Sequence, residues 1–222
     1  MEPMDPLTLA SKREDAAQDS SKRRDILNGA RHVFRAHGFD GASMGDIAKA
    51  ASVSKGTLYV YFDSKEALFR ALIDVDRRDA AERLFDLDQD EPDVRGVLTR
   101  LATSFISMMI QPDHVSLLRM VIGAAEKFPA LGRAFFEAGP CYGVKRLSTY
   151  LAAQRAAGRL LIEDTDLAAA QFMGLIQGSL TKGPLFGVNE RPSPEDIEVT
   201  VASAVRVFFA AYGPKASWKQ DP

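Results

Sequence analysis

The sequence switches from helix to turn to helix between Ser43 and Phe62. Ser43 can cap the apolar segment GDIAKAA, and residues 52–54 (Ser-Val-Ser) form a turn before a second short helix. At 100° per residue, Leu58 and Phe62 fall on one side of that second helix. The pattern therefore predicts a small three-helix unit in which Leu58 and Phe62 face the two other helices.

The opposite side of this second helix has an unusual composition for a surface exposed to solvent. It carries Gly56, Thr57, Tyr59 and Val60. A glycine within a helix costs about 1 kcal/mol relative to alanine, and valine has a poor helix propensity. DNA recognition would explain both residues, because Gly56 lets a DNA backbone come near and Val60 can touch a thymine methyl, while Thr57 can bond a phosphate or a base edge.

Charged and polar side chains border the same helix. Lys55, Tyr61 and Lys65 are predicted to contact phosphates, which fixes the register of a protein on DNA without reading its sequence. The chain has a net charge of −2, yet residues 20–66 hold eight Lys or Arg and five Asp or Glu, which gives +3 and leaves −5 for the rest. A basic surface, if present, is therefore local to this part of the chain.

The rest of the chain also follows helical spacing, with no alternating strand and no hairpin dipeptide between apolar runs. With 46% hydrophobic and 26% charged residues, the composition excludes a disordered or fibrous protein. We expect an all-α fold of about nine helices, in which a three-helix head precedes a larger helical body. The predicted divisions are a flexible arm (1–20), the helix-turn-helix head (21–66), a ligand-binding and dimerisation body (67–213) and a flexible tail (214–222).

The segment GFDGASMGDIAKAASVSKGTLYVYFDSKEALF, residues 38–69, resembles the signature of the TetR/AcrR transcriptional regulators in unbroken register. Two further segments, KFPALGRAFFEAGP and GRLLIEDTDLAAAQFMGLIQG, resemble the C-terminal domain of the AefR-like branch. The resemblance implies a cytoplasmic homodimer that represses transcription from a palindromic operator in double-stranded DNA and is released by a small molecule. It also implies DNA contacts at Ser43, Lys55, Gly56, Thr57, Tyr59, Val60, Tyr61 and Lys65. One departure is Ser52, since the family turn often has glycine there and a left-handed backbone suits serine less well.

The body contains two sets of residues with predicted roles. Its last long helices combine small residues with an apolar stripe suited to a four-helix dimer interface, at Gly174, Gly178, Val199, Ala202, Val205 and Phe209. The alternative is that this stripe only closes the core of one subunit. Flexible and aromatic side chains could line a permissive apolar pocket, at Phe105, Met108, Met109, Met120, Phe136, Tyr142, Phe172 and Met173, although such a set also suits an ordinary core.

Competing functions have weaker support in the sequence. The three histidines, His32, His37 and His114, lack metal-ligand spacing, and no nucleophile motif or carboxylate pair accompanies them, so we expect no enzyme, metal or cofactor. The single cysteine, Cys141, fits a reducing compartment and is either a buried residue or a thiol that senses oxidants. No segment reaches the roughly 18 apolar residues of a membrane span, and no signal peptide is recognisable. A helical protein-interaction scaffold without DNA binding remains a further alternative.

Overall fold

The protein is helical throughout the part of the chain that its computed structural model describes. The backbone is described for residues 6–178, 180–188 and 191–214, and the side chains of residues 6–18 and 76–80 lie outside the description. Within these ranges there are eleven α-helices and no strand: α1 Pro6–Gly41, α2 Met44–Ala50, α3 Lys55–Tyr61, α4 Lys65–Leu84, α5 Val94–Met109, α6 Pro112–Ala125, α7 Pro129–Phe136, α8 Tyr142–Ala156, α9 Thr165–Gln177, α10 Lys182–Phe186 and α11 Pro194–Tyr212. The predicted all-α class is confirmed.

Three serines set the starts of the helices that follow α1. Ser43 directly precedes α2, Ser54 precedes α3 and Ser64 precedes α4. Each serine side chain accepts a hydrogen bond from the backbone N–H three residues later. Such caps satisfy N–H groups that the first helical turn leaves unpaired. The short helices α2 and α3 therefore start at residues that the sequence specifies.

The turn between α2 and α3 contains a strained residue. Ser52 has φ of 55° and is the only non-glycine residue with positive φ among the described residues. A left-handed conformation costs an ordinary residue roughly 1–2 kcal/mol. The structure therefore confirms that the turn requires the backbone for which glycine is better suited.

Helix α1 packs closely on α2 and changes direction near its end. A Cβ added to Gly29 would lie 2.7 Å from the backbone nitrogen of Ala51, so a larger residue at position 29 would push the two helices apart. At Gly38, φ of 69° and ψ of 177° interrupt the regular helix, as expected of a glycine at a helix C-terminus. Of the arm predicted for residues 1–20, residues 1–5 lie outside the description and the backbone from Pro6 is helical; the tail after Pro214 also lies outside it.

The buried side chains form two hydrophobic clusters, and α4 belongs to both. The first cluster joins α1–α3 and the start of α4 to residues of α6 and α7, including Val121 and Phe135. The second joins the end of α4 to α5, α8, α9 and α11. Helices α6 and α7 therefore pack with the head, although the sequence places them in the body.

Several connections in the body differ from the sequence prediction. A π-helical turn, Glu137–Cys141, links α7 directly to α8, and the short helix α10 lies between α9 and α11. The short helix α10 contains Gly183 and Pro184, so helical spacing alone gives no signal for it. Helix α10 is held on α6, where Arg119 donates hydrogen bonds to the carbonyls of Pro184 and Leu185.

Candidate nucleic-acid interface and apolar pocket

Helix α3 has one buried side and one exposed side, as the helical spacing predicts. Leu58 is fully buried and Phe62 nearly so, whereas Val60 is 82% exposed and Tyr59 is 50% exposed. Lys55 and Gly56 are exposed as well. An apolar side chain as exposed as Val60, on a helix of seven residues, contributes nothing to the core. This surface of α3 is therefore available to a partner.

The polar residues around α3 make local hydrogen bonds. Ser43 caps α2 and donates from its hydroxyl to Asp46 at 2.6 Å, while the hydroxyl of Thr57 lies 2.8 Å from that of Ser54. Lys55 extends from α3 across Gly45 in α2, with Cε 3.0 Å from where a Cβ would stand. The absence of a side chain at Gly45 thus leaves space for Lys55 along the start of α2.

Tyr61 is joined to the segment of α1 that precedes the head. Its hydroxyl donates a hydrogen bond to the Asp19 carboxylate at 2.5 Å. That hydrogen bond, together with burial and the negative charge of Asp19, raises the pKa of Tyr61 above its ordinary value. The hydroxyl that is predicted to bind a phosphate is therefore hydrogen-bonded to a carboxylate of the same chain.

Lys65 makes contacts that the sequence analysis did not anticipate. Its Nζ donates to the carbonyls of Phe39 at 2.6 Å and Ala42 at 3.0 Å, with a longer contact to Asp40, and lies 4.5 Å from the Phe39 ring centre. The ammonium thus satisfies carbonyls that the end of α1 leaves unpaired. Contact between Lys65 and a DNA phosphate remains a prediction, but the side chain already has a structural role.

An apolar cavity of about 230 Å³ lies in the body. It is lined by Ala81, Leu84, Phe85, Phe105, Met108, Met109, His114, Leu118, Phe135, Gly139, Pro140, Gly143, Val144, Met173 and Gln177. We call this cavity the apolar pocket. Its wall takes side chains from both hydrophobic clusters, since Phe135 packs with the head and Phe105 with the body. A molecule in the pocket would therefore touch both clusters.

The structure brings four of the eight predicted pocket residues to this cavity: Phe105, Met108, Met109 and Met173. The other four do not line it. Phe172 is fully buried and packs edge-on against Phe208, Phe136 is 59% exposed, and Tyr142 packs beside the body cluster. Met120 lines a separate cleft near the head. The sequence did not point to Phe85 or to the polar residues His114 and Gln177, because residue type alone does not distinguish them from core or surface positions.

The predicted dimer surface is exposed in part. Val199 is 64% exposed, and Gly174 and Ala202 are also exposed. Gly178 ends α9 with φ of 32°, a backbone angle that only glycine adopts easily. Val205, in contrast, is buried in the subunit's own core, and the half-buried Phe209 lies under Arg95, whose guanidinium carbon is 4.4 Å from the ring centre.

Other exposed apolar side chains extend this surface beyond the prediction. Leu167 is 53% and Leu175 37% exposed on α9, and Val207 is 47% exposed on α11. Helices α9 and α11 pack against each other, so these residues belong to one helical layer. An apolar surface of this kind is typical of an association site.

Three further expectations concern metal binding, the cysteine and membrane spans. No cluster of three or more His, Cys, Asp or Glu side chains able to hold a metal occurs among the described residues. Cys141 is exposed, so the expectation of a buried cysteine was wrong. None of the helices in the described ranges is long and apolar enough to cross a membrane.

Two family descriptions match the chain. Residues 26–72 match the bacterial regulatory proteins of the tetR family, and residues 96–214 match the C-terminal domain of AefR-like transcriptional repressors. The HTH-type transcriptional regulator UidR of Escherichia coli K12 is 49% identical over 61 residues, which are 28% of this chain and 31% of UidR. The chain therefore matches this curated relative over about a third of the relative's length.

Solved structures match over most of their length. A TetR-family transcriptional regulator from Mesorhizobium loti superposes with a TM-score of 0.81 and 28% identity, over 88% of this chain and 98% of that one. A protein described as the flavonoid-responsive regulator FrrA gives a TM-score of 0.77 and 34% identity, over 89% of this chain and 100% of FrrA. The fold of the head and body together is thus shared with these regulators.

Proposed function

The chain belongs to the TetR family of bacterial transcriptional regulators, and on that premise we propose that it is a homodimeric repressor released from a palindromic operator by a small, mainly apolar ligand. The observation that carries the proposal is the exposed side of α3, where Val60 and Tyr59 project from a short helix held by the buried Leu58. A second helix of a helix-turn-helix pair, exposed in this way, fits the major groove of B-DNA. Such a regulator would act on chromosomal DNA in the cytoplasm.

We assign different roles to the residues of this surface. Val60 and Thr57 would read base edges, because one presents methyl groups and the other a hydroxyl on the exposed side of α3. Ser43, Lys55, Tyr59 and Tyr61 would contact phosphates or sugars, and Gly56 would let the backbone approach. Tyr61 must exchange the Asp19 carboxylate for a phosphate when DNA binds.

A dimer follows from the reach of a single head. One α3 contacts only a few base pairs, whereas two heads about 34–36 Å apart reach successive major grooves and gain affinity together. The exposed apolar positions on α9 and α11, Leu167, Leu175 and Val199 among them, supply a surface on which two subunits can form a four-helix arrangement. Val205 contributes to the core of its own subunit rather than to this interface.

The ligand would bind in the apolar pocket. Its lining is mainly apolar, and His114 and Gln177 are polar groups that could orient a small molecule. FrrA, which is similar over its whole length, is described as flavonoid-responsive, so a flat aromatic compound with hydroxyl groups is a reasonable first probe. Since the pocket wall includes both hydrophobic clusters, a ligand that fits only one arrangement of the clusters shifts the position of the head.

The test begins with selection of bound duplexes from a random DNA library. We expect a palindrome with half-sites about one helical turn apart, and an affinity that falls as salt increases. Val60→Ala should change the selected half-site, whereas Val188→Ala, at an exposed valine outside both α3 and the proposed dimer surface, should not. Failure to retain DNA at low salt would refute the proposal and favour a protein-interaction scaffold.

The ligand part is tested separately by thermal denaturation with the flavonoid quercetin. Binding to the native state raises the melting temperature and releases the selected operator. Phe105→Trp reduces the free volume of the pocket and should remove both effects while leaving DNA binding intact. If Cys141→Ser removes release by an oxidant such as hydrogen peroxide and quercetin has no effect, the redox-responsive alternative is correct.

A further inference from the structure

A second cavity lies between the head and the body. It has a volume of about 590 Å³ and is bounded by α1, α4 and α6. Arginines at three positions face it, Arg31 and Arg35 from α1 and Arg83 from α4, together with a single carboxylate, that of Asp113. We call this cavity the junction cleft. Among the described lining residues, the cleft thus brings guanidinium groups from α1 and α4 together beside one carboxylate.

The junction cleft and the apolar pocket share a wall. Met108 and His114 line both cavities, so these two side chains form the partition between them. Methionine is unbranched and has three rotatable bonds, and it changes rotamer without large strain. A change at Met108 would therefore join the small apolar cavity to the larger cationic one.

Asp113, the one carboxylate among the described residues that line the cleft, takes part in an exposed ion pair. Arg35 pairs with Asp113 and thereby ties α1 to the start of α6. The two side chains are 49% and 68% exposed, and ion pairs this exposed contribute little to stability. An anionic ligand could therefore replace Asp113 at Arg35 at small cost. A second pair, Lys127 with Asp40 at 3.1 Å, ties α1 to the end of α6 independently.

We propose that the two cavities form one bipartite site for an amphipathic anion, whose apolar part fills the apolar pocket and whose carboxylate or phosphate binds in the junction cleft. This inference rests on the proposed function, because it specifies the class of ligand for the same regulator. Arg35 and Arg83 hold the anionic group, with Arg31 beside them. Since the ligand separates Arg35 from Asp113, occupancy releases α1 from the start of α6. The charge of the ligand thus acts at the contact between head and body.

Isothermal titration of the full chain with decanoate and decanol tests the proposal, because these probes share an alkyl chain and differ in charge. We expect decanoate to bind about ten-fold more tightly than decanol. Arg83→Gln should lower the affinity for decanoate about five-fold and leave decanol unchanged. Lys145→Gln, at an exposed position on α8, removes the same charge away from the cleft and should change neither affinity.

A second substitution tests the proposal by raising the affinity for decanoate instead of lowering it. Asp113→Asn removes the carboxylate that competes for Arg35, so decanoate should bind about two- to five-fold more tightly than to the original protein. Equal affinities for the two probes, or equal losses for both in Arg83→Gln, would overturn the bipartite site while leaving the apolar pocket as a ligand site. If neither probe binds but quercetin does, the bipartite site is wrong and the proposed function stands; if none of the three binds, both ligand proposals fail.

Discussion

Replacement of Lys65 by methionine should destabilise the head substantially. The change keeps an unbranched apolar side chain of similar length and removes the ammonium. In the structure this ammonium donates to the half-buried carbonyls of Phe39 and Ala42 and lies over the Phe39 ring. The Phe39 carbonyl lies in the last turn of α1, where the helix leaves acceptors unpaired, and the Ala42 carbonyl follows directly after that helix.

The magnitude follows from these contacts. A hydrogen bond to a charged group contributes roughly 1.5–3 kcal/mol net, and a partly exposed cation–π contact about 0.5–1 kcal/mol. The two short bonds share one donor and are not fully additive, and the Asp40 contact at 3.4 Å adds little. We therefore expect Lys65→Met to lower the free energy of unfolding by about 2–4 kcal/mol.

Urea denaturation at fixed protein concentration, followed by circular dichroism, measures this loss. Lys55→Met is the matched control, because Lys55 is exposed and its ammonium donates no hydrogen bond to another described residue. This variant should lower the free energy of unfolding by less than about 0.5 kcal/mol. The salt dependence of operator binding separates the two roles of Lys65, since a lost phosphate contact reduces the slope by about one. Unchanged stability combined with a reduced slope would show that the structural role assigned to Lys65 is wrong.

Four further predictions test other parts of the structure. Asp19→Asn should raise the affinity for all DNA sequences, because it frees the Tyr61 hydroxyl and removes a negative charge. The share of the gain that comes from the hydroxyl should be lost in a Tyr61→Phe background, so a gain of undiminished size there would show that Asp19 acts independently of Tyr61. Ser52→Gly should stabilise the protein by up to about 1 kcal/mol by relieving the positive φ, and a loss in urea denaturation would contradict this. Tyr61→Ala should weaken binding to specific and random DNA alike, whereas Thr57→Ala should change operator preference; equal losses for both variants would remove the distinction. Burial raises the pKa of Tyr150 to about 12. The free energy of unfolding should therefore fall between about pH 10 and 12, because the unfolded state loses the phenol proton first. Tyr150→Phe should abolish that fall, as measured by urea denaturation at alkaline pH.

The parts of the fold that are coded by local sequence were predictable. Serine caps before three helices, Gly38 at a helix end and the division of α3 into Leu58 and Val60 sides all depend on neighbouring residues along the chain. The left-handed angle at Ser52 likewise follows from the short turn that joins α2 to α3. In each case the physical cause lies within one or two helical turns.

The parts that depend on packing between distant helices were not predictable from spacing. Phe172 and Phe105 have the same residue type and both lie on helices, yet Phe172 packs against Phe208 and Phe105 faces a cavity. Lys65 binds carbonyls more than twenty residues earlier, and backbone acceptors leave no mark in the sequence. Val205 fits an interface stripe equally well but is buried within its own subunit.

The position of the apolar pocket explains how a body of this kind can control the head. If the pocket lay wholly within the body cluster, a ligand could fill it without disturbing the packing of α1. Instead Phe135 and Leu118 belong with the head cluster, and Phe85 and Phe105 belong with the body cluster. A ligand that separates these walls must therefore move α6 and α7 relative to the body, and the head packs on α6 and α7. Because close-packed clusters shift between discrete arrangements rather than deform continuously, we expect a small displacement at the pocket to change the orientation of α3.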